Sequence, residues 1–240
     1  MGALVLACGN TVRDGALPAL APHCEVSRDA GGGVRDHLDV LPLPANPGRS
    51  DIDPRLAELG GRRLVVVGRD ADLAAVVRRL LRTDRLADVI VGFVPVPSGE
   101  SEVAAIWRLP RDPGRALELA VTGEVEPIPM VRDDSGGVLL GLGSMGPVRG
   151  VAYCDDETAL RGRASRIEVT PDPQRGAGLI VRVIRTGLLG RRASDLRGRA
   201  FQLGCLPVHP VTDGVARPRA VTRWTWYRHT EDLRAVRGVG

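Results

Sequence analysis

The pentapeptide Gly68-Arg69-Asp70-Ala71-Asp72 follows three consecutive valines and runs directly into a helical pattern. A glycine between a buried strand and a helix is a place where backbone N–H groups and the positive end of the helix dipole receive phosphate oxygens. Asp70 and Asp72 flank that turn. Two carboxylates there can hold a magnesium ion bridging phosphates, or they can cap the helix, and local pattern leaves both readings open. A second turn, Ser98-Gly99-Glu100-Ser101, lies between the strand-like "GFVPV" and an apolar helical face of Val103, Ile106 and Trp107. Its serines cap that helix in one reading, and in the other the hydroxyls and N–H groups of the turn face a nucleotide.

The elements that must position these turns alternate in kind. "ALVLACG" (3–9), "RRLVVVG" (62–68) and "ADVIVGFVPV" (87–96) are short continuous apolar runs closed by Gly or Pro, as expected of strands buried on both faces. Between the last two, Leu73, Val76, Val77, Leu80 and Leu81 keep helical spacing while Arg78, Arg79 and Arg82 fall on the other side, predicting a helix over 71–82 and a β-α-β unit. Asp53-Pro54 with Gly60, and Asp112-Pro113 with Gly123, each read as an N-cap acid, a proline at the first helical position and a closing glycine. The stretch 24–50, rich in Gly, Pro and Asp, reads as a loop.

From about Val131 the period becomes two. "SRIEVTP", "GLIVRVIRT" and "GRAFQLGCL" alternate as strands, separated by turn signals in "PDPQRGAG", "GLLGRRASDLRGR" and "HPVTDGVARPR". The expected fold is therefore α/β, a parallel-sheet nucleotide-binding domain followed by an antiparallel β-sandwich-like domain. The expected boundaries are 1–132 and 133–240. In "RAVTRWTWYRH", strand alternation puts Trp224 and Trp226 on one face, which favours a β core over a base-stacking platform.

Composition narrows the classes. All 33 basic side chains are arginine, the net charge of +4 is spread along the chain, and no apolar run approaches a membrane span. The absence of lysine excludes a Walker-type phosphate loop. No nucleic-acid partner is expected. Cys8, Cys24, Cys154 and Cys205 lie far apart without C-x-x-C spacing, so packed thiols are expected rather than zinc ligands or a disulfide framework. His209 and His229 lack a second ligand at metal spacing. The N-terminus shows neither a basic leader nor a small-residue cleavage site, and a cytoplasmic location is expected.

The order of strand, "GRDADLAAVV", strand, "PVPSGESEVAAIWRLP" and "DPGRALELAVTGEVEPIPM" resembles the catalytic domain of diacylglycerol kinases and related bacterial lipid kinases. That family carries a Gly-Gly-Asp-Gly-Thr-Leu nucleotide loop, a Pro-x-Gly-Thr-x-Asn-Asp segment and a helix ending in Gly-Glu-x-x-Pro-Ile. The last is matched by Gly123-Glu124 and Pro127-Ile128. Gly68, Asp70 and Leu73 match the first, with Arg69 and Ala71 in place of glycines and Asp72 in place of threonine. Pro95 matches the second, with Pro97-Ser98 standing for its Gly-Thr, and Ser144-Met145-Gly146 also fits. Asp213-Gly214 resembles an Asp-Gly-Glu motif whose acid activates the lipid hydroxyl and helps position magnesium, with Val215 replacing the second acid.

The resemblance implies ATP-dependent phosphorylation of a lipid hydroxyl at the inner membrane face, with ATP and magnesium as cofactors. It implies a nucleotide and a membrane lipid such as diacylglycerol as partners, and a homodimer is compatible with it. Asp213 is the expected catalytic base. Gly68, Arg69, Asp70, Asp72, Ser98 and Gly99 are the expected nucleotide-binding residues, and Asp70 and Asp213 the expected metal ligands. The replaced glycines, threonine and acid predict weak or lost transfer, because phosphoryl transfer rests on positioning and charge neutralisation. The alternative is a non-catalytic nucleotide- or lipid-binding module.

Overall fold

The computed structural model describes residues 2–9, 38–96, 100–174, 176–187 and 190–238. Two compact units emerge, Met1–Pro127 with Leu233–Gly240, and Ile128–Asp232. The first begins with strand β1 (Ala3–Cys8), β2 (Leu38–Leu43), helix α1 (Arg49–Glu58), β3 (Arg63–Gly68), α2 (Asp70–Arg82) and β4 (Val91–Pro95). It continues with α3 (Glu102–Ile106), α4 (Pro113–Thr122) and β5 (Val125–Ile128). β1 pairs in parallel with β2 and β3, and β3 in parallel with β4. The continuous apolar runs are buried as expected: Leu4, Val5 and Leu6 in β1 and Leu64 to Val67 in β3 are inaccessible to solvent.

Helix α2 buries Leu73, Val76, Val77 and Leu80, the face its spacing predicted. Helix α4 starts where Asp112 accepts a hydrogen bond from the Arg115 N–H at 2.9 Å, and it packs Ala116, Leu117 and Ala120 against Val5, Val65, Val67 and Val94. It sits so close to β4 that a side chain at Gly92 would meet the Ala120 Cβ at 2.7 Å.

The second unit is all β: β6 (Val131–Asp133), β7 (Val138–Leu139), β8 (Gly143–Met145), β9 (Val148–Cys154), β10 (Glu157–Ala164) and β11 (Arg166–Pro171). There follow β12 (Leu179–Gly187), β13 (Gly190–Gly198), β14 (Ala200–Val208), β15 (Val211–Thr212), β16 (Val215–Ala216) and β17 (Val221–Arg228). They form two six-stranded sheets, β10-β9-β14-β17-β6-β7 and β13-β12-β11-β8-β15-β16. Phe201, Leu203, Trp224 and Trp226 from the first meet Ile167, Val169, Val181 and Val183 from the second in one core, as period-two alternation requires. The tryptophans are thus core residues.

Three expectations change. The supposed loop 24–50 contributes β2, which takes the sheet edge and there tolerates Pro42, whose missing N–H has no inner strand to serve. The same stretch supplies the first residues of α1, which begins at Arg49 with Gly48 as N-cap and carries Pro54 inside. "GRRASDLRG" is a full strand, almost wholly exposed, paired residue for residue with β12. As an edge strand it has no buried face, so hydrophobic period could not reveal it. The last strand, β18 (Leu233–Val236), leaves the β unit and pairs in parallel with β4, completing the sheet β2-β1-β3-β4-β18-β5.

Candidate functional site

From β1 the chain crosses to β2 on one side and then returns to β3 on the other, so the order of the parallel strands reverses between β1 and β3. Such a switch point, at the carboxyl ends of the strands, is where open α/β sheets hold ligands. Gly68 lies there, with Cys8 beside it: a Cβ added at Gly68 would meet the Cys8 Cβ at 3.2 Å and the Asp72 carboxylate at 2.8 Å. Glycine at this position is therefore what leaves room for Asp72.

Arg69 is the N-cap of α2, in extended geometry, and Asp72 is the third helical residue. The Asp72 carboxylate, 1% exposed, turns back over the helix start. It accepts the Arg69 N–H at 2.9 Å and the Asn46 N–H at 2.6 Å, and the Arg69 guanidinium lies 3.6 Å away. This is half of a capping box, in which an acid at N3 satisfies an orphan donor of the first turn. The carboxylate is thereby committed to the N-cap amide and to Asn46 beside the amino end of the helix.

Asp70 points the other way. It accepts from the Ser101 hydroxyl and from the backbone N–H groups of Glu102 (2.9 Å) and Val103 (3.2 Å). Ser101 in turn accepts the Ala104 N–H at 2.9 Å as N-cap of α3. Burial pushes the Asp70 carboxyl above the ordinary aspartate value, against the opposing effect of these donors. Its oxygens hold the second turn to the first. Ser98 and Gly99 lie outside the described residues.

Asp213 belongs to the β unit. It and Gly214 form the turn between β15 and β16 with φ of +47° and +83°, left-handed values typical of a tight Asp-Gly hairpin. The Asp213 side chain, 4% exposed, accepts three successive N–H groups, from Leu140 (3.0 Å), Gly141 (2.7 Å) and Leu142 (3.1 Å). Its own N–H donates to the Leu142 carbonyl. The carboxylate is thus woven into the 140–142 loop.

The structure brings Gly68, Arg69, Asp70 and Asp72 to one helix start and gives both acids backbone partners. Among the described residues, no three His, Cys, Asp or Glu side chains converge as a metal site. Sequence reasoning missed the donor Asn46, hidden in the presumed loop, and the 140–142 amides. Only the glycines of "GGVLLGLGSMG" signalled that loop. Cys8, Cys154 and Cys205 are free thiols. Burial first, then the neighbouring Asp72, pushes the Cys8 thiol up to about 12; burial and the acids Asp155 and Glu157 push Cys154 to about 11.

No family model and no curated protein matches the chain. Solved structures do. A diacylglycerol kinase from Bacillus anthracis str. Sterne superposes with a TM-score of 0.69 at 11% identity, covering 99% of this chain and 97% of that one. An NAD kinase from Archaeoglobus fulgidus, in complex with ATP, gives 0.56 at 14% identity over 99% and 94% of the two chains. Yeast NADH kinase complexed with NADH gives 0.51 at 10% identity over 100% and 84%. The likeness is one of fold: this chain has the two-part α/β and antiparallel-β architecture of diacylglycerol and NAD kinases. The resemblance read from its motifs points to the same architecture. No helix among the described residues is long and apolar enough to cross a membrane.

Proposed function

We propose that this chain is a lipid-kinase-fold protein whose phosphoryl transfer is weak or lost, and that it serves as a non-catalytic, lipid-binding module at the inner membrane face. The observation that supports the loss of transfer is the Asp72 carboxylate, which holds the Arg69 and Asn46 amides at the α2 amino end and so sets a negative charge where a phosphate would approach. The turn does not fit ATP with magnesium. An incoming triphosphate would meet a fixed negative charge, the side chains of Arg69 and Ala71 in place of glycines, and an Asp70 already engaged by α3. Asp213 is similarly engaged by three amides. Losing one preorganised donor to a transition-state oxyanion lowers turnover by about 100-fold or more, and several such losses leave little.

A second reading, an ATP-dependent lipid kinase, draws on the Arg69 guanidinium, 54% exposed at the same turn and able to pair a phosphate directly. The ATP held by the Archaeoglobus fulgidus NAD kinase lends that reading weight. One experiment separates the two: incubation with labelled ATP, magnesium and diacylglycerol micelles. Background transfer, with no rise in melting temperature on adding ATP–magnesium, supports the binding module. Transfer abolished by Asp213→Asn overturns it.

A further inference from the structure

The outward face of β10, β9, β14 and β17 carries arginine without acid. Arg149 and Arg163 sit directly opposite each other across the β9–β10 pair, and Arg161 and Arg223 close the two ends of the neighbouring row, which runs Arg161, Val151, Gly204, Arg223 across the four strands. That row spans about 14 Å at ordinary strand spacing. None of these four arginines has an ion pair among the described residues. Glu157 is the only acid in the four strands, and it pairs with Cys154 at the far end of the hairpin, on the inward side. Like charges directly opposite in a ladder destabilise a sheet, so the pair Arg149–Arg163 is a liability in the free protein that an external anion would relieve.

Between the arginines Val151 and Gly204 fill the centre of the row, and a side chain at Gly204 would meet nothing. In the next row Tyr153, 40% exposed, stands between Thr158 and Gln202, and Leu206 on β14 is 60% exposed. We infer that this face docks on an anionic phospholipid bilayer, its arginines reaching the phosphate layer while Leu206, Val151 and Tyr153 rest against the acyl boundary. A second copy of the chain is disfavoured because the face would oppose its own charge. A nucleic acid calls for stacked rings along the row, and this face exposes Tyr153 where a platform would need several. The inference rests on the proposed membrane role and deepens it by naming the face that docks; its test reads docking and not phosphate transfer, so the two can fail separately.

The test is cosedimentation of the full chain with vesicles of phosphatidylcholine alone and of equal parts phosphatidylcholine and phosphatidylglycerol. Each arginine held at an anionic surface contributes about fivefold to partitioning. The expected result is binding to the mixed vesicles alone, weakened about 25-fold in Arg161→Gln/Arg163→Gln and reduced in Leu206→Gln. The double variant should melt no lower than the wild-type protein, because it removes a like-charge pair. Absence of binding to mixed vesicles, equal binding to neutral ones, or a double variant with unchanged affinity overturns the inference. Tighter binding to a single-stranded oligonucleotide than to mixed vesicles also overturns it, and assigns the face to nucleic acid. None of these outcomes reads phosphate transfer.

Discussion

Replacing Asp72 by alanine tests whether a side chain has taken the place of a phosphate. The carboxylate satisfies two backbone donors, Arg69 N–H at 2.9 Å and Asn46 N–H at 2.6 Å, from a position 1% exposed. Leaving a buried donor unpaired costs about 1 to 3 kcal/mol, and loss of an acid from the first helical turn adds about 0.3 to 1 kcal/mol. Relief of the buried charge offsets part of this. The net expectation is about 3 kcal/mol, which for a chain of this size lowers Tm by roughly 6 to 12 °C. The same substitution leaves the Arg69 and Asn46 amides and the Arg69 guanidinium open to an anion. Inorganic phosphate should therefore raise the Tm of Asp72→Ala by several degrees more than it raises that of the wild-type protein, with sodium chloride at matched ionic strength as the control for screening. Differential scanning fluorimetry reads both quantities. A variant melting within a degree of wild type would show that the carboxylate satisfies nothing of consequence, and equal phosphate shifts in both proteins would show that it does not stand in an anion site.

Two further outcomes follow from the buried titratable groups. Cys8 and Cys154, with thiols pushed to about 12 and about 11, should resist iodoacetamide at pH 8 in the folded protein and react once it is unfolded in guanidinium, as peptide mapping would show. Asp70, whose carboxyl is raised by burial, binds its proton more readily in the folded than in the unfolded chain. Its contribution to stability is then fully present below the unfolded value of about 3.9 and is lost as pH climbs through the raised folded value. The Tm of wild type minus that of Asp70→Asn should accordingly fall between pH 3.5 and pH 7, and a constant or rising value would refute the assignment.

Local signals in the chain sufficed for whatever depends on near neighbours. The valines before Gly68, the apolar stripe of α2, the Asp112-Pro113 start and Gly123 end of α4, and the period-two strands with Trp224 and Trp226 inward all follow from side-chain spacing against a single buried face. Elements without such a face, or too short to show a period, escaped notice. β2 and β13 are edge strands, and β18 is four residues that acquire meaning only by pairing with β4, far away in the chain. The aspartates divide in the same way. Sequence marked Asp70, Asp72 and Asp213 as acids at turns, where a carboxylate serves equally as metal ligand, base or cap. Which of these it becomes depends on the donors brought to it. Asn46 from before α1, the first residues of α3 and the amides of 140–142 come from 26, 31 to 33 and 71 to 73 residues away. A hydrogen bond is a short-range contact, and only the folded chain brings partners so distant in sequence within its reach.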